Sequence, residues 1–251
     1  MNSDFLKKLL IVNLPLRPSK GFLFDQLEKR LFDIRGEIGL DAASASFKNR
    51  RMFKTKYYYG LDVDRNALTK GILKQGDDKT FGVLADLARL DGLPGDSVDA
   101  VVSTNTLYCL KKEDRIAAIK HLCRLTAPEG YFFCEIPVNE NYDYENVLAV
   151  LRNNFESIKI IYYRNFISRF YESIFESNGW LGDHPVAGLK GFRLFAWLIG
   201  RLEYITSALR SPKKHAFIIC KNKKGSNQKK RFDLSGFPMP EKSIYNILDE
   251  S

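Results

Sequence analysis

The stretch VLADLARLDGLPGDSVDAVVSTNTLYCL, residues 83–110, contains two apolar runs that each end in short polar side chains. The first run ends at Asp86 and the second ends at Ser103. Short apolar runs bounded by turn residues favour buried strands, and a nearly continuous run is typical of a parallel strand covered by helices on both faces. Because parallel strands end at one edge of their sheet, we expect both residues to lie at that carboxyl edge.

Strands and helices alternate on both sides of this stretch. Apolar residues at helical spacing predict helices at 22–33, 65–75, 111–127 and 144–155. Short apolar and aromatic runs predict further strands at 37–44, 56–64, 131–137, 157–163 and 214–222. This alternation implies right-handed crossovers, and the sequence therefore predicts an α/β protein with a mostly parallel sheet.

The 251 residues are enough for one domain with an elaboration. We expect a helical N-terminal segment over 1–35 and an α/β domain over 36–222. A helical insertion at 164–213 interrupts this domain, and its position before the last strand favours a role on the substrate side. The tail, 223–251, begins with a run of lysines and continues with Gly, Ser and Pro, which predicts a basic and flexible segment.

Two motifs carry a resemblance to a known family. The first is the 83–110 stretch, in which an acid, a Leu-Pro, a turn and an Asp precede a strand; the second is IKHLCRLTAPEGYFFCEIP, residues 119–137. Together they resemble the class I S-adenosylmethionine-dependent methyltransferases, in particular the broad methyltransferase-domain group. The resemblance covers about residues 22–163 and returns at 214–222. It implies a Rossmann-like sheet with helices on both faces and an antiparallel last strand.

The resemblance also implies the cofactor S-adenosylmethionine and residues that hold it. Asp62, followed by Val63, matches the acid that accepts hydrogen bonds from both ribose hydroxyls. Asp86 matches the residue that meets the adenine amino group, with Leu87 as an apolar wall beside it. Ser103 matches the place where the methionine end of the cofactor meets the substrate. Each acid also has a plainer interpretation, as a helix cap or a turn residue.

For Asp62, the interpretation as a helix cap fits the neighbouring Asp64 better. Asp64 opens the sequence DRNAL, which has the pattern of a helix preceded by its capping residue. We therefore predict that Asp64 caps the helix and that Asp62 remains available as a ligand.

The glycine-rich motif of the family is replaced by alanines. Aligned on Asp41, its Asp-x-Gly-x-Gly pattern becomes Asp-Ala-Ala-Ser-Ala, with alanine at 43 and 45, and Asp41 and Asp62 are then 21 residues apart. A turn that demands positive φ costs an alanine about 1 kcal/mol, whereas a turn with negative φ avoids this cost. We therefore predict that Asp41, Ala43 and Ala45 contact the cofactor. The alternative is that the chain has kept the fold but lost the ability to bind the cofactor.

Methyl transfer to an oxygen acceptor calls for a general base. His184 lies in the insertion next to Asp183, and Tyr108 lies in a loop that borders the methyl-transfer site in the family. These two residues are our candidates. His121 falls inside a predicted helix and is interpreted as a packing or surface residue.

The net charge of +9 favours acidic partners such as phosphate-bearing substrates, nucleic acid or an anionic membrane. Nucleic acid is disfavoured, because STNTLY stands where base-methylating enzymes carry an Asn-Pro-Pro-Tyr motif. The segment 189–209 has a helical apolar stripe, and peripheral membrane contact and packing within the protein both remain open for it. The oligomeric state is also open.

Four scattered cysteines lack CxxC spacing, which indicates reduced thiols and neither a zinc site nor a disulfide framework. The N-terminal apolar run is short and broken by Pro15, which is atypical of a signal peptide. We therefore expect a cytoplasmic protein, with membrane-peripheral attachment as the variant.

The sequence thus favours a methyltransferase acting on a small-molecule or lipid-linked acceptor, with a saccharide hydroxyl as the specific hypothesis. The alternative is a non-catalytic methyltransferase-like binding or scaffold protein.

Overall fold

The computed structural model describes residues 17–175, 189–206, 214–225, 228–241 and 243–248. The α-helices in these residues are α1 Pro18–Leu31, α2 Arg65–Gln75, α3 Lys112–Leu125, α4 Tyr144–Asn154, α5 Phe166–Phe175 and α6 Lys190–Thr206. The strands are β1 Ile38–Ala42, β2 Tyr57–Asp62, β3 Thr80–Leu84, β4 Val98–Ser103, β5 Thr126–Pro137, β6 Phe155–Tyr163, β7 His215–Lys223 and β8 Ile244–Asn246.

The strands form one sheet with the order β6-β7-β5-β4-β1-β2-β3-β8. β1 pairs in parallel with β2 and β4, and the pairs β2–β3, β4–β5 and β3–β8 are also parallel. β7 is inserted between β5 and β6, and the sheet as a whole is mostly parallel with antiparallel strands. The predicted Rossmann-like fold is confirmed. The strand order reverses at β1, and in open α/β sheets ligands bind at the carboxyl edge beside such a reversal.

The connection from β1 to β2 contains no α-helix. It is a series of turns followed by the short 3₁₀-helix Arg50–Met52. Phe47 fills the space that this short crossover leaves: its ring is fully buried, and a Cβ added to Gly60 or Gly71 would lie 2.2 or 2.7 Å from it. Glycine at these two positions therefore allows β2 and α2 to close over the ring.

The tail differs from the sequence expectation. β8 extends the sheet beside β3, and residues of the tail are buried. The buried apolar side chains are Phe232, Leu234, Ile244 and Ile247. The composition of this segment suggested flexibility, but a few apolar residues spaced along a polar tail are enough to anchor it to the sheet edge.

The chain divides into two compact units. The sheet unit comprises 27–161 and 216–251, and it contains the main hydrophobic core. The helical unit comprises 1–26 and 162–215. In the helical unit α5 and α6 share an aromatic cluster, and the Glu172 carboxylate accepts hydrogen bonds from Ser19 at 2.7 Å and Arg164 at 2.6 Å.

None of the helices in the described ranges is long and apolar enough to cross a membrane.

Candidate functional site

The acid at the end of β2 is held by the backbone around it. Asp62 Oδ2 accepts a hydrogen bond from the Ala45 nitrogen at 2.8 Å, and Oδ1 accepts one from the Asp64 nitrogen at 3.0 Å. The Asp64 side chain instead caps α2, accepting from the backbone nitrogens of Asn66 at 2.9 Å and Ala67 at 3.2 Å. The prediction that Asp64 caps this helix is confirmed.

The turn after β1 has the backbone that glycine usually provides. Ala43 has φ 55°, Ala45 has φ 47° and Phe47 has φ 59°. All three lie in the left-handed region, where a β-carbon is unfavourable. The alanines therefore do not avoid positive φ, and the two residues aligned with glycine are strained in the way that glycine would relieve.

Asp41, near the end of β1, lies beneath this turn and is almost fully buried. Its carboxylate accepts hydrogen bonds from Tyr58 Oη at 2.9 Å and from Asn49 Nδ2 at 3.1 Å. Burial raises the pKa of Asp41 from 3.8 to about 7, although both hydrogen bonds act in the opposite direction. Asp62 adds a smaller repulsive contribution that raises the pKa further. Each carboxylate oxygen of Asp41 therefore has one hydrogen-bond partner within the protein.

Three buried polar atoms at this edge have no hydrogen-bond partner among the described residues. They are Ser44 Oγ, Asn49 Oδ1 and Ser103 Oγ. Asn49 Nδ2 also lies 3.5 Å from Thr104 Oγ1, so the Asn49 amide spans the ends of β1 and β4. A buried polar group without a partner costs free energy, and such groups are typical of sites that a ligand or water completes.

The end of β3 supplies the next group. Asp86 is half-buried, and its Oδ1 accepts from the Ala88 nitrogen at 2.9 Å. Leu87 is buried beside it, whereas Val63 after β2 is 60% exposed. The pairing of β2 with β3 places Asp62 opposite Leu84, so these groups follow adjacent strand ends.

The loop after β4 is fixed from β5. Asn105 has φ 58°, and its backbone nitrogen donates to Glu135 Oε2 at 3.1 Å. Tyr108 follows in a short 3₁₀-helix, is half-buried and meets Tyr142 edge-on, with ring centroids 6.4 Å apart. His184, the other candidate base, lies outside the described residues.

The structure thus brings Asp41, Ala43, Ala45, Asp62, Val63, Asp86, Leu87 and Ser103 to consecutive strand ends of one sheet edge. Sequence reasoning missed Asn49, Tyr58 and Glu135 as members of the polar network. Asn49 lies in the basic stretch FKNRRMF, where the charged neighbours give no sign of a buried amide. Glu135 lies within the apolar strand YFFCEIP, and an acid inside an apolar strand could have indicated a buried polar contact.

A cavity of about 640 Å³ lies elsewhere, at the amino edge of the strands. It is bordered by Gly36 before β1, by Asp99 near the start of β4 and by Gly130 within β5. Asp99 is saturated there, because its carboxylate accepts from Glu37, Ile38 and Lys229. None of the predicted site residues borders this cavity, so its position carries no argument about them.

The four cysteines are free, and all except Cys109 are buried. Burial raises the pKa of the Cys123 thiol to about 12 and that of Cys134 well above its usual value. These buried thiols therefore stay protonated at neutral pH.

Residues 38–134, from β1 into β5, match the family model described as a methyltransferase domain. The sequence resemblance to the class I methyltransferases is confirmed over these residues. The matched residues contain the β1 turn and the ends of β2, β3 and β4, which are the elements that form the polar edge described above. No curated protein matches the chain.

Solved structures share the fold at low sequence identity. The YcgJ protein of Bacillus subtilis is similar with a TM-score of 0.54 and 12% identity, over 80% of this chain and 98% of that one. A phosphoethanolamine N-methyltransferase 2 of Haemonchus contortus, bound to phosphomonomethylethanolamine and S-adenosylhomocysteine, is similar with a TM-score of 0.52 and 15% identity. The match covers 79% of this chain and 52% of that one. The matched part of this chain therefore spans about half of that enzyme's length.

The cyclase SpnF is also similar, with a TM-score of 0.52 and 15% identity over 80% of this chain and 81% of that one. At these identities the likeness shows the fold alone.

Proposed function

We propose that this protein is an S-adenosylmethionine-dependent methyltransferase that acts on a small-molecule or lipid-linked acceptor, with a saccharide hydroxyl as the specific acceptor group. The observation that carries the proposal is the orientation of Asp62 by the left-handed turn at Ala45. The family to which residues 38–134 belong uses this cofactor.

The carboxylate of Asp62 fits a ribose. Each of its oxygens accepts one backbone hydrogen bond from Ala45 or Asp64, and a carboxylate oxygen can accept two. One acceptor site therefore remains on each oxygen, which matches the two donors of a ribose diol. The carboxylate is also only half-buried, so these sites are open to a ligand.

The neighbouring residues suit an adenine. Val63 exposes 60% of its surface beside a polar edge, which leaves an apolar face without cover from the described protein. Asp86 supplies an acceptor for an amino group, and the buried Leu87 supports it with an apolar wall. An apolar surface beside a single polar contact is the usual composition of a base-binding pocket.

The unpaired groups at β1 and β4 suit the amino-acid end of the cofactor. Asn49 Oδ1 can accept a hydrogen bond from an ammonium, and Ser103 Oγ can donate one to a carboxylate. Ala43 and Ala45 provide the close backbone of the turn. In this assignment the buried atoms without partners acquire them when the cofactor binds.

When bound, the cofactor supplies an activated methyl group, so the protein's task is to orient the acceptor and exclude water. Tyr108, on the loop that Asn105 and Glu135 position, is a candidate to take the acceptor's proton. His184 is the second candidate for this role. The insertion at 164–213 is the candidate for acceptor selection.

A non-catalytic binding protein is the second candidate function. The observation that favours it is the pair of alanine side chains in the turn, because each adds a methyl group where the family aligns glycine. The cyclase SpnF shows that the fold also occurs in a protein named for a different reaction.

Isothermal titration with S-adenosylmethionine and S-adenosylhomocysteine tests the proposal. We expect saturable heat with the natural protein, its loss in Asp62→Ala, and its retention in Asp78→Ala, which removes an exposed acid at the opposite end of β3. Circular dichroism of both variants confirms folding. Absence of heat at millimolar cofactor would exclude the enzyme and leave the binding protein.

A further inference from the structure

The helical unit exposes apolar side chains in an ordered pattern. On α5 the exposed residues are Phe166, Phe170 and Ile174, at 47%, 69% and 47%. They are spaced four residues apart and therefore form one stripe along the helix. The opposite side of α5 is buried and includes Tyr171 and Glu172.

α6 repeats the pattern. Leu194, Leu198 and Leu202 are exposed and again spaced four residues apart, with Phe195 beside them at 44%. The face of α6 that packs is a different one: Ala196 is buried, and a Cβ added to Gly200 would lie 2.9 Å from the Pro18 carbonyl. The leucine stripe is therefore not the face by which α6 joins the helical unit.

Within the segment 189–209, helical spacing predicts an apolar stripe on Phe192, Phe195, Ile199, Leu202, Ile205 and Leu209. Phe192 packs on Tyr171 and Phe175 as expected, with centroid distances of 6.2 and 5.4 Å. Phe195 also contacts Tyr171, with a centroid distance of 6.1 Å, but keeps 44% of its surface exposed, and Leu202 is exposed as well. The side chains at 205 and 209 lie outside the described residues. The helix is apolar over more than one face, and its packing uses only part of that surface.

Exposure of this kind is concentrated in the helical unit. Nine of the thirteen large apolar side chains that are exposed in the described residues belong to it, although it holds less than a third of the described chain. Single exposed apolar residues need no explanation, but a contiguous group marks an interaction surface.

The charge of the same unit identifies the partner. Its sequence, 1–26 and 162–215, has twelve Lys and Arg against six Asp and Glu, a net charge of +6 out of +9 for the whole chain. Two of the acids are already paired within the unit: Asp25 with Arg201 at 2.7 Å, and Glu172 with Arg164 at 2.6 Å. An apolar stripe on a positively charged unit is complementary to an anionic surface that also offers hydrocarbon.

We propose that the exposed stripes of α5 and α6 dock the protein onto anionic lipid membranes. Helices that lie in the membrane interface bury an apolar face among the acyl chains while basic side chains meet the headgroups. Trp197 stacks under the Arg201 guanidinium at 4.4 Å, so an aromatic ring and a cation occur together on α6, and both kinds of side chain are favoured at membrane interfaces. Self-association through this surface would bring two units of charge +6 together, which disfavours a second copy as the occupant.

Vesicle sedimentation of the full chain tests this proposal independently of cofactor binding. We expect the protein to pellet with phosphatidylcholine vesicles that contain phosphatidylglycerol, to pellet less as salt is raised, and to remain in solution with phosphatidylcholine alone. Phe170→Ser and Leu198→Ser should each reduce the partition by about tenfold. The matched control is Leu73→Ser, which removes an 80% exposed leucine from α2 of the sheet unit and should not change the partition.

The other outcomes overturn the proposal. The membrane assignment is wrong if the protein stays in solution with anionic vesicles at low salt, or if Leu73→Ser weakens binding as much as Phe170→Ser. If sedimentation velocity instead shows an oligomer that Phe170→Ser dissociates, a second copy covers the surface. Titration with S-adenosylhomocysteine should be unchanged in these variants, so failure of this proposal leaves the methyltransferase proposal standing.

Discussion

The backbone nitrogen of Ala45 donates a 2.8 Å hydrogen bond to the carboxylate of Asp62. Ala45 has φ 47°, and the left-handed backbone directs its N–H toward β2. The orientation of the acid at the end of β2 therefore depends on a strained residue in the turn after β1. The proposed ribose contact of Asp62 is thus linked by a hydrogen bond to the turn in which alanine replaces glycine.

Ala45→Gly should stabilise the protein by about 1 kcal/mol, because glycine adopts positive φ without the clash of a β-carbon. Urea unfolding followed by circular dichroism measures this change. The matched control is Ala42→Gly, in the regular backbone of β1, which should destabilise by about 0.5–1 kcal/mol or more. Equal destabilisation by both variants would show that the turn is not strained at Ala45.

Asp41 should make stability fall as pH rises from about 4 to about 7. Its pKa is about 7 in the folded protein and 3.8 when exposed, so the folded state binds more protons than the unfolded state between these values. The slope from this one group is at most about 1.4 kcal/mol per pH unit. Asp41→Asn should remove that component and stabilise the protein above pH 7, since an amide can accept from Asn49 and donate to the Tyr58 oxygen.

The control for this prediction is Asp77→Asn. Desolvation raises the pKa of Asp77, but hydrogen bonds, first among them the one from Thr80, and the charge of Arg50 lower it by more. The pKa of Asp77 is therefore below its usual value. The stability that Asp77 contributes is lost only as pH falls below about 4, so this variant should keep the slope between pH 4 and 7. An unchanged slope in Asp41→Asn would contradict the assignment.

Gly60→Ala should destabilise by about 1–3 kcal/mol, because the new methyl group would lie 2.2 Å from the Phe47 ring. Phe47→Leu makes room for it, so the double variant should be more stable than the sum of the two single effects by at least about 0.5 kcal/mol. Gly191→Ala is the control, since a Cβ there meets nothing within 4 Å. Additive effects at 47 and 60 would contradict the proposed packing.

Arg115→Met should destabilise by about 3–5 kcal/mol, since it leaves Asp143 buried without its closest cation. Both side chains are only 5% exposed, and the Arg115 guanidinium also donates to the carbonyls of Leu107 and Leu110, which flank Tyr108. Arg65→Met, which breaks an exposed pair with Glu241, should cost at most about 1 kcal/mol. Thermal unfolding measures both, and similar losses would show that burial does not strengthen the first pair.

Much of the fold follows from short-range patterns in the sequence. The apolar run at 98–103 and the helical spacing at 65–75 predicted β4 and α2 closely, because burial of a strand or a helix face leaves a periodic pattern. β8 was not predicted, since a strand of three residues is too short to show a period. The short crossover after β1 was not predicted either, because it depends on the Phe47 ring packing against Gly60 and Gly71, which are distant in the sequence.

The site divides in the same way. Asp62 and Asp86 stand at predicted strand ends, so their common edge could be expected from topology alone. Asn49 and Tyr58 could not be identified, because their contacts with Asp41 join residues whose side chains meet only after β1 and β2 pair. Positive φ at Ala43 and Ala45 was likewise hidden, since alanine ordinarily indicates the opposite.

The most direct test of the account is a crystal structure of the protein with S-adenosylhomocysteine. The account predicts that both ribose hydroxyls lie within about 3 Å of the Asp62 carboxylate oxygens, with the β1 turn retaining positive φ at Ala43 and Ala45. The contradictory result is a structure at saturating ligand in which the side chains of residues 43–45 fill the space for the adenosyl group and no ligand is bound.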